Sequence, residues 1–282
     1  VVQGVNYPSE GEFTLEFSRV EPPANDECSG ALVIQSNDSI VMGSLVNATG
    51  TVGFNTSCEV STGSPGVWFS MIGTGDVYFI STCSSEMSFD AALSVSTGSC
   101  DDQTCITTGA YDNYECSEGP FAAAEVLFRT EVGVEYFIQV QSLSSSPGGE
   151  FVLHLSTVSV PVNDVCTDAI SIPVGTESIS GSITNATGSL DLSISCSYNY
   201  NYPDVWYTMV GTGDTFAVST CSDVLDFDAS LSVSSGSCSN QECIAVGAYN
   251  DETCASGSFS ASRVLFRTEV GTEYFIAVQG NN

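Results

Sequence analysis

Short runs rich in Val, Ile, Phe, Tyr and Thr alternate along this chain with clusters of Gly, Ser, Asn and Asp. Such runs indicate β-strands, and helical spacing is almost absent. Short strands at regular spacing are typical of an all-β sandwich or barrel. The strands predicted in the first half are Ala31–Ile34, Ser39–Leu45, Gly66–Ile72, Asp76–Thr82, Ala91–Thr97, Cys105–Ala110, Glu125–Thr130, Glu135–Gln141 and Glu150–Ser156.

The whole pattern repeats without a gap, and Trp68 has its counterpart in Trp206, 138 residues later. A period this long is that of a self-standing domain and not of a solenoid unit. We therefore predict repeat 1 over residues 25–158, a linker over 159–162 and repeat 2 over 163–282. In both repeats the sequence Gly-Thr-Gly-Asp, at 73–76 and 211–214, predicts a hairpin turn.

The N-terminal segment, residues 1–24, contains a spare copy of the last strand of a repeat. Gly11–Phe17 reads Gly-Glu-Phe-Thr-Leu-Glu-Phe, and Gly149–Leu155 reads Gly-Glu-Phe-Val-Leu-His-Leu. Repeat 2 ends before any such segment, so we expect it to lack its last strand and to expose an unpaired edge. We predict that strand 11–17 supplies the missing element to a neighbouring molecule through its apolar residues Phe13, Leu15 and Phe17.

Each repeat contains six cysteines at matching positions, and no Cys-x-x-Cys spacing occurs. An even number of cysteines without zinc-ligand spacing predicts disulfides formed in an oxidising compartment. Among the fifteen connectivities of six cysteines, the predicted strand directions favour one triplet. That triplet is Cys28–Cys58, Cys83–Cys116 and Cys100–Cys105, with Cys166–Cys196, Cys221–Cys254 and Cys238–Cys243 in repeat 2.

The chain is strongly acidic: it contains 34 Asp and Glu residues, four arginines and no lysine, and its net charge is −30. A surface of this sign argues against binding to nucleic acid or anionic membranes. No apolar run is long enough to insert in a membrane as a helix. The only histidine is His154, so the nucleophile–base pair of an enzyme cannot be assembled in both repeats. We predict that the protein is not an enzyme.

Several motifs recur in one order in both repeats. In repeat 1 they are Asn-Asp-x-Cys at 25–28, Val-Trp-Phe at 67–69, Ser-Thr-Cys at 81–83, Phe-Asp-Ala-x-Leu-Ser-Val at 89–95 and Gly-Ser-Cys at 98–100. This order resembles that of the pre-peptidase C-terminal domain, found in tandem in secreted and cell-surface proteins of bacteria and algae. The resemblance covers nearly the whole chain and implies a jelly-roll-like sandwich that is a non-catalytic module, sometimes binding calcium.

Acidic loop residues are the candidate metal ligands, namely Asp90 and Asp112 in repeat 1 and Asp228 and Asp251 in repeat 2. Carboxylates on converging loops suit calcium, which takes six to eight oxygen ligands. The alternative makes Asp90 and Asp228 turn residues that accept hydrogen bonds from nearby backbone amides. No other cofactor is expected.

Four N-glycosylation sequons begin at Asn37, Asn47, Asn55 and Asn185. Asn47 and Asn185 are equivalent positions in the sequence Asn-Ala-Thr-Gly, which makes them the preferred glycan sites. The tyrosine-rich loop 198–202 of repeat 2 can stack on sugars or contact a protein, or it can simply pack on its own domain.

Taken together, these features predict an all-β chain of two tandem jelly-roll-like antiparallel β-sandwiches, stapled by disulfides, with an extra N-terminal donor-type strand. The predicted function is that of a secreted, glycosylated structural subunit of an extracellular filament or surface appendage. Its partner is itself, in a head-to-tail homopolymer. The alternatives are a fragment of a longer covalent tandem-repeat adhesin or carbohydrate-binding surface protein, and the accessory domains of a secreted hydrolase.

Overall fold

A computed structural model describes residues 12–35, 39–50, 58, 63–84, 87–110, 121–143, 148–188, 196, 202–247 and 260–280. These residues form an all-β structure, as predicted, with helical turns at Cys28–Gly30 and Cys166–Asp168. No helix in the described ranges is long and apolar enough to cross a membrane. Every pair of hydrogen-bonded strands lies within one repeat. The domain boundaries drawn from the sequence stay predictions.

Repeat 1 is a sandwich of a five-stranded sheet, in the order β1-β3-β8-β5-β6, and a four-stranded sheet, in the order β2-β9-β4-β7. All nine predicted strands are confirmed, with ends that differ by a few residues. The strands are β1 (Leu32–Val33), β2 (Ile40–Ser44), β3 (Gly66–Ile72), β4 (Val77–Ser81), β5 (Ala91–Ser99), β6 (Asp102–Ala110), β7 (Glu125–Arg129), β8 (Glu135–Ser142) and β9 (Glu150–Val158).

Two details of the predicted topology are wrong. The sheets are not purely antiparallel, because the short edge strand β1 runs parallel to β3. The Gly-Thr-Gly-Asp turn at 73–76 is not a hairpin, because β3 and β4 belong to different sheets. Gly75 has a φ of 91° there, so glycine lets the chain cross from one sheet to the other within four residues.

The central strands of the five-stranded sheet are buried on both faces, as the runs in β3 and β8 show. The inner residues Val67, Phe69 and Met71 join the core between the two sheets. Phe69 of β3 meets Phe151 of β9 edge to face, with ring centroids 6.2 Å apart. Burial on both faces explains why these strands read as nearly continuous apolar runs instead of alternating ones.

The tryptophans are buried, as predicted, but Trp206 lies outside the main core of its sandwich. It belongs to a second cluster with Cys166, Cys196, Phe275 and Ala277. Trp68 has the equivalent position in β3, between the core residues Val67 and Phe69. Alternation along the strand places the tryptophan on the opposite face of the sheet, where in repeat 2 it packs with disulfide-bonded cysteines.

The predicted disulfide pairs Cys28–Cys58 and Cys100–Cys105 are wrong, as are their counterparts in repeat 2. Cys105 faces Ser96 across the β5–β6 hairpin, which leaves Cys100 three or more residues away, about 10 Å along the strands. A disulfide needs Cα atoms within about 7 Å. The observed pairs are Cys28–Cys100, Cys58–Cys105, Cys166–Cys238 and Cys196–Cys243.

Cys83 and Cys221 are also disulfide-bonded. Their predicted partners, Cys116 and Cys254, lie outside the described residues. The pairs Cys83–Cys116 and Cys221–Cys254 therefore stay predictions.

Repeat 2 reproduces the five-stranded sheet in the same order, β10-β11-β16-β13-β14, with β10 parallel to β11. Its second sheet contains only β12 and β15 among the described residues. The strands are β10 (Ile170–Ser171), β11 (Asp204–Val210), β12 (Thr215–Ser219), β13 (Ala229–Ser237), β14 (Asn240–Gly247), β15 (Arg263–Arg267) and β16 (Glu273–Gly280).

Candidate assembly site

Among the described residues, one edge of the second sheet of repeat 2 has no partner strand. In repeat 1, β4 pairs with β7 on one side and with β9 on the other. Its counterpart β12 pairs with β15 alone in the described part of the chain. Residues 178–182, the counterpart of β2, form no strand. They lack a partner strand, because β2 pairs with β9 in repeat 1 and no described strand takes the place of β9 in repeat 2.

With no described strand in the place of β9, the core of repeat 2 is partly uncovered in the part of the chain that the structure describes. Tyr78 and Ile80 of β4 are buried, while their counterparts Phe216 and Val218 are half-buried. Likewise, Leu45 is fully buried in repeat 1, while its counterpart Ile183 is half-buried in repeat 2. We call this opening the acceptor groove and define it by the residues Ile179, Ile183, Phe216, Val218 and Phe227.

The groove corresponds to the part of repeat 1 that Phe151 fills. There the ring packs edge to face on Phe69 and Phe89. It also occupies the space over Gly43, where any Cβ would collide with it. The three counterparts in repeat 2 are Tyr207, Phe227 and Gly181. The aromatic residues and the glycine are retained, but the Tyr207 hydroxyl lies over Gly181 and takes up part of the space that the Phe151 ring has in repeat 1.

Residues 12–20, which we call the donor segment, lie outside any strand. Its three apolar residues are exposed, with Phe13 at 64%, Leu15 at 58% and Phe17 at 91% of their full accessible surface. They alternate with Thr14 and Glu16, so a strand formed here would carry all three on one face. The predicted assembly residues are therefore accessible, and Gly11 lies outside the described residues.

Repeat 1 contacts the start of repeat 2 through a buried carboxylate. Arg129, the last residue of β7, donates from Nη2 to Asp164 Oδ2 at 2.8 Å. The same carboxylate accepts hydrogen bonds from Thr187, at 2.6 Å from its backbone N and 2.7 Å from Oγ1. The Asn185 amide donates to the Ser159 carbonyl at 3.3 Å. These contacts fix the linker side of repeat 2 against repeat 1.

The equivalent carboxylate in repeat 1 is Asp26, which has the same bonds within its own repeat. It accepts from Thr49 N and Oγ1, both at 2.6 Å. Its neighbour Asn25 donates to the Trp68 carbonyl at 2.9 Å. The Asn-Asp-x-Cys motif thus holds the start of repeat 1 to Trp68 and Thr49 by side-chain hydrogen bonds. The role of Arg129 was not predicted from the sequence. The Phe-Arg-Thr-Glu sequence could have indicated it, because both repeats contain it and so have an arginine at this position.

Asp90 and Asp228 bind a segment that lies 32 residues further along the chain, and not a local turn. Each accepts a backbone amide through Oδ1, Asp90 from Ala122 at 2.8 Å and Asp228 from Ser260 at 2.6 Å. Asp112 and Asp251 lie outside the described residues, and within the described ones no His, Cys, Asp or Glu cluster could hold a metal ion. Calcium binding stays a prediction.

The two preferred glycan sites are exposed turn residues. Asn47 and Asn185 adopt the left-handed conformation, with φ of 62° and 58°, which asparagine tolerates better than most residues. Tyr202 is half-buried. Four further residues singled out from the sequence lie outside the described ones, namely Asn37, Asn55, Tyr198 and Tyr200.

No protein-family model and no curated protein sequence shows a significant match to the chain. Among similar solved structures is the pre-peptidase C-terminal domain of the collagenase from Bacillus anthracis, 12% identical with a TM-score of 0.29, over 45% of this chain and 94% of that one. The tandem CBM22 modules of Xyn10C from Paenibacillus barcinonensis are 9% identical with a TM-score of 0.24, over 88% and 91%. A pre-peptidase C-terminal domain is thus among the structures similar to this chain, in line with the resemblance seen in the sequence, but identities and TM-scores this low carry no argument about family or function.

Proposed function

We propose that this protein is a non-enzymatic structural subunit of an extracellular filament or surface appendage. Subunits are linked head to tail, because the donor segment of one molecule inserts into the acceptor groove of the next. The observation that carries the proposal is the match between the two: repeat 2 is open where β9 lies in repeat 1, and the exposed donor segment has the sequence pattern of β9.

The pairing in repeat 1 supplies the register of the inserted strand. Leu153 faces Val41 of β2, and Leu155 faces Ile80 of β4. The same offsets place Leu15 against Ile179 and Phe17 against Val218. Phe13 then lies over Gly181, so the Tyr207 hydroxyl that occupies this space in the single molecule has to move aside. The donor segment also gives residues 178–182 a partner, so we expect them to become a strand on insertion.

Hydrophobic burial provides the main free-energy gain of the joint. Burying each of the three apolar side chains contributes roughly 1.5–3 kcal/mol. Association and ordering of the donor segment offset part of that sum. Backbone pairing on both sides of the inserted strand removes the exposed edge of β12, a feature that proteins rarely leave unprotected.

The symmetry of such a joint makes it polymerise. Donor and acceptor are different surfaces of one molecule, so the contact is heterologous and each added subunit offers a new groove. Intrarepeat disulfides suit an oxidising environment outside the cell. With a net charge of −30, neighbouring filaments repel one another, which limits lateral aggregation.

Two matched substitutions in the donor segment test the proposal. Leu15→Asn places a polar amide in the groove and should abolish filaments in negative stain and light scattering. Glu16→Gln, at the adjacent outward position, should leave assembly unchanged. Deleting residues 1–20 should prevent polymerisation, and a peptide of residues 9–20 should stop the growth of wild-type filaments. Filaments formed by the deleted protein would overturn the mechanism.

A further inference from the structure

We propose that Asp26 of one molecule forms an ion pair with Arg267 of the next at each joint of the filament. This inference rests on the proposed function, because the donor segment must first occupy the acceptor groove of a neighbouring molecule. It adds a polar contact that orients successive molecules, which strand insertion alone does not provide.

The internal contact between Arg129 and Asp164 is the model for this ion pair. Val77 of β4 faces Arg129 of β7 on one side and Val158 of β9 on the other. The chain therefore leaves β9 one strand away from the end of β7, on the other side of β4. Six residues later it places the Asp164 carboxylate 2.8 Å from the Arg129 guanidinium.

Each part of this arrangement has its counterpart at the joint between molecules. Thr215 of β12 faces Arg267 of β15, and a donor strand in the register of β9 places Val20 on the other side of Thr215. The path from Val20 to Asp26 is as long as that from Val158 to Asp164.

The backbone turn before the carboxylate is also the same in both places. The Asp26 amide donates to the Pro23 carbonyl at 3.1 Å, and the Asp164 amide donates to the Pro161 carbonyl at 3.1 Å. Asp26 is therefore already held in the conformation in which Asp164 meets Arg129. Insertion of the donor segment carries it to Arg267.

Asp26 is more accessible in the single molecule than its paired counterpart Asp164. Asp26 is 8% exposed and Asp164 is 1% exposed. Thr49 beside Asp26 is exposed, while Thr187 beside Asp164 is buried. Arg267 is exposed. Among the described residues the structure has one ion pair, between Arg129 and Asp164. An arginine at the joint also offsets repulsion between two acidic molecules.

A double-mutant cycle on the full chain tests the ion pair, with seeded filament elongation followed by light scattering. Arg267→Gln and Asp26→Asn should each slow elongation about five- to tenfold, and the double variant should be no slower than the slower single one. This non-additivity separates direct contact from damage to the Thr49 turn, whose effect would add to that of Arg267→Gln. Arg263→Gln removes the same charge from the same strand and should leave the rate unchanged.

Two results would overturn the ion pair and leave the filament in place. One is strict additivity of the two single effects. The other is an Arg267→Gln rate equal to that of Arg263→Gln. A wild-type protein that does not assemble, or that assembles without its donor segment, would overturn the proposed function and the ion pair with it.

Discussion

At the scale of a single residue, Trp206 stabilises the outer face of the five-stranded sheet in repeat 2. Its indole packs with Cys166 and Cys196, and its Nε1 donates to Asp204 Oδ1 at 3.1 Å. The two disulfides and the tryptophan thus form a small core of their own, away from the space between the sheets. This explains why both Trp68 and Trp206 stand in the middle of a strand whose other face is already packed.

We predict that Trp206→Ala lowers the free energy of unfolding by about 3–5 kcal/mol, the usual cost of truncating a buried large aromatic residue. Urea unfolding under non-reducing conditions measures the change. Val210→Ala, on the exposed end of the same strand, is the control and should cost well under about 1 kcal/mol. A loss of similar size for both variants would contradict the second core.

At the scale of elements, β4 and β12 are the same strand in two environments. β4 has a paired neighbour on each side, and β12 has β15 on one side only among the described residues. An unpaired edge leaves every second amide of a strand to solvent. The stability of this element is therefore set by its partner and not by its own residues.

We predict that amides of β12 exchange with solvent at least about tenfold faster than those of β4. The measurement is hydrogen–deuterium exchange on the Leu15→Asn variant, which is expected to stay monomeric. Addition of the 9–20 peptide should slow exchange in β12 and leave β4 unchanged. Equal protection of the two strands before peptide addition would show that the groove is closed in the single molecule.

At the scale of the whole molecule, four described disulfides each stay within one repeat and follow one pattern. The pairs enclose equal loops, with separations of 72 and 47 residues in both repeats. These four bonds thus close loops within each repeat. In the described part of the chain, the two repeats are joined by the linker and by contacts such as that of Arg129 with Asp164.

We predict that the remaining bonds are Cys83–Cys116 and Cys221–Cys254, so that no bridge crosses between repeats. Peptide mapping by mass spectrometry under non-reducing conditions should recover both linked pairs. A free thiol, or a bridge that joins residues below 120 to residues above 160, would contradict the prediction.

The sequence by itself determined the strands, the repeat and the likeness of the N-terminal segment to β9. These depend on local alternation and on comparison of the chain with itself, as for Phe13, Leu15 and Phe17 beside the equivalent residues of β9. Only the tertiary structure decided which sheet each strand joins, which cysteines pair and which cation meets Asp164. Those outcomes depend on which distant segments approach one another, and residue types alone do not specify that approach. The turn at 73–76 is one example: its glycines are compatible both with a hairpin and with the crossing between sheets that the packing selects.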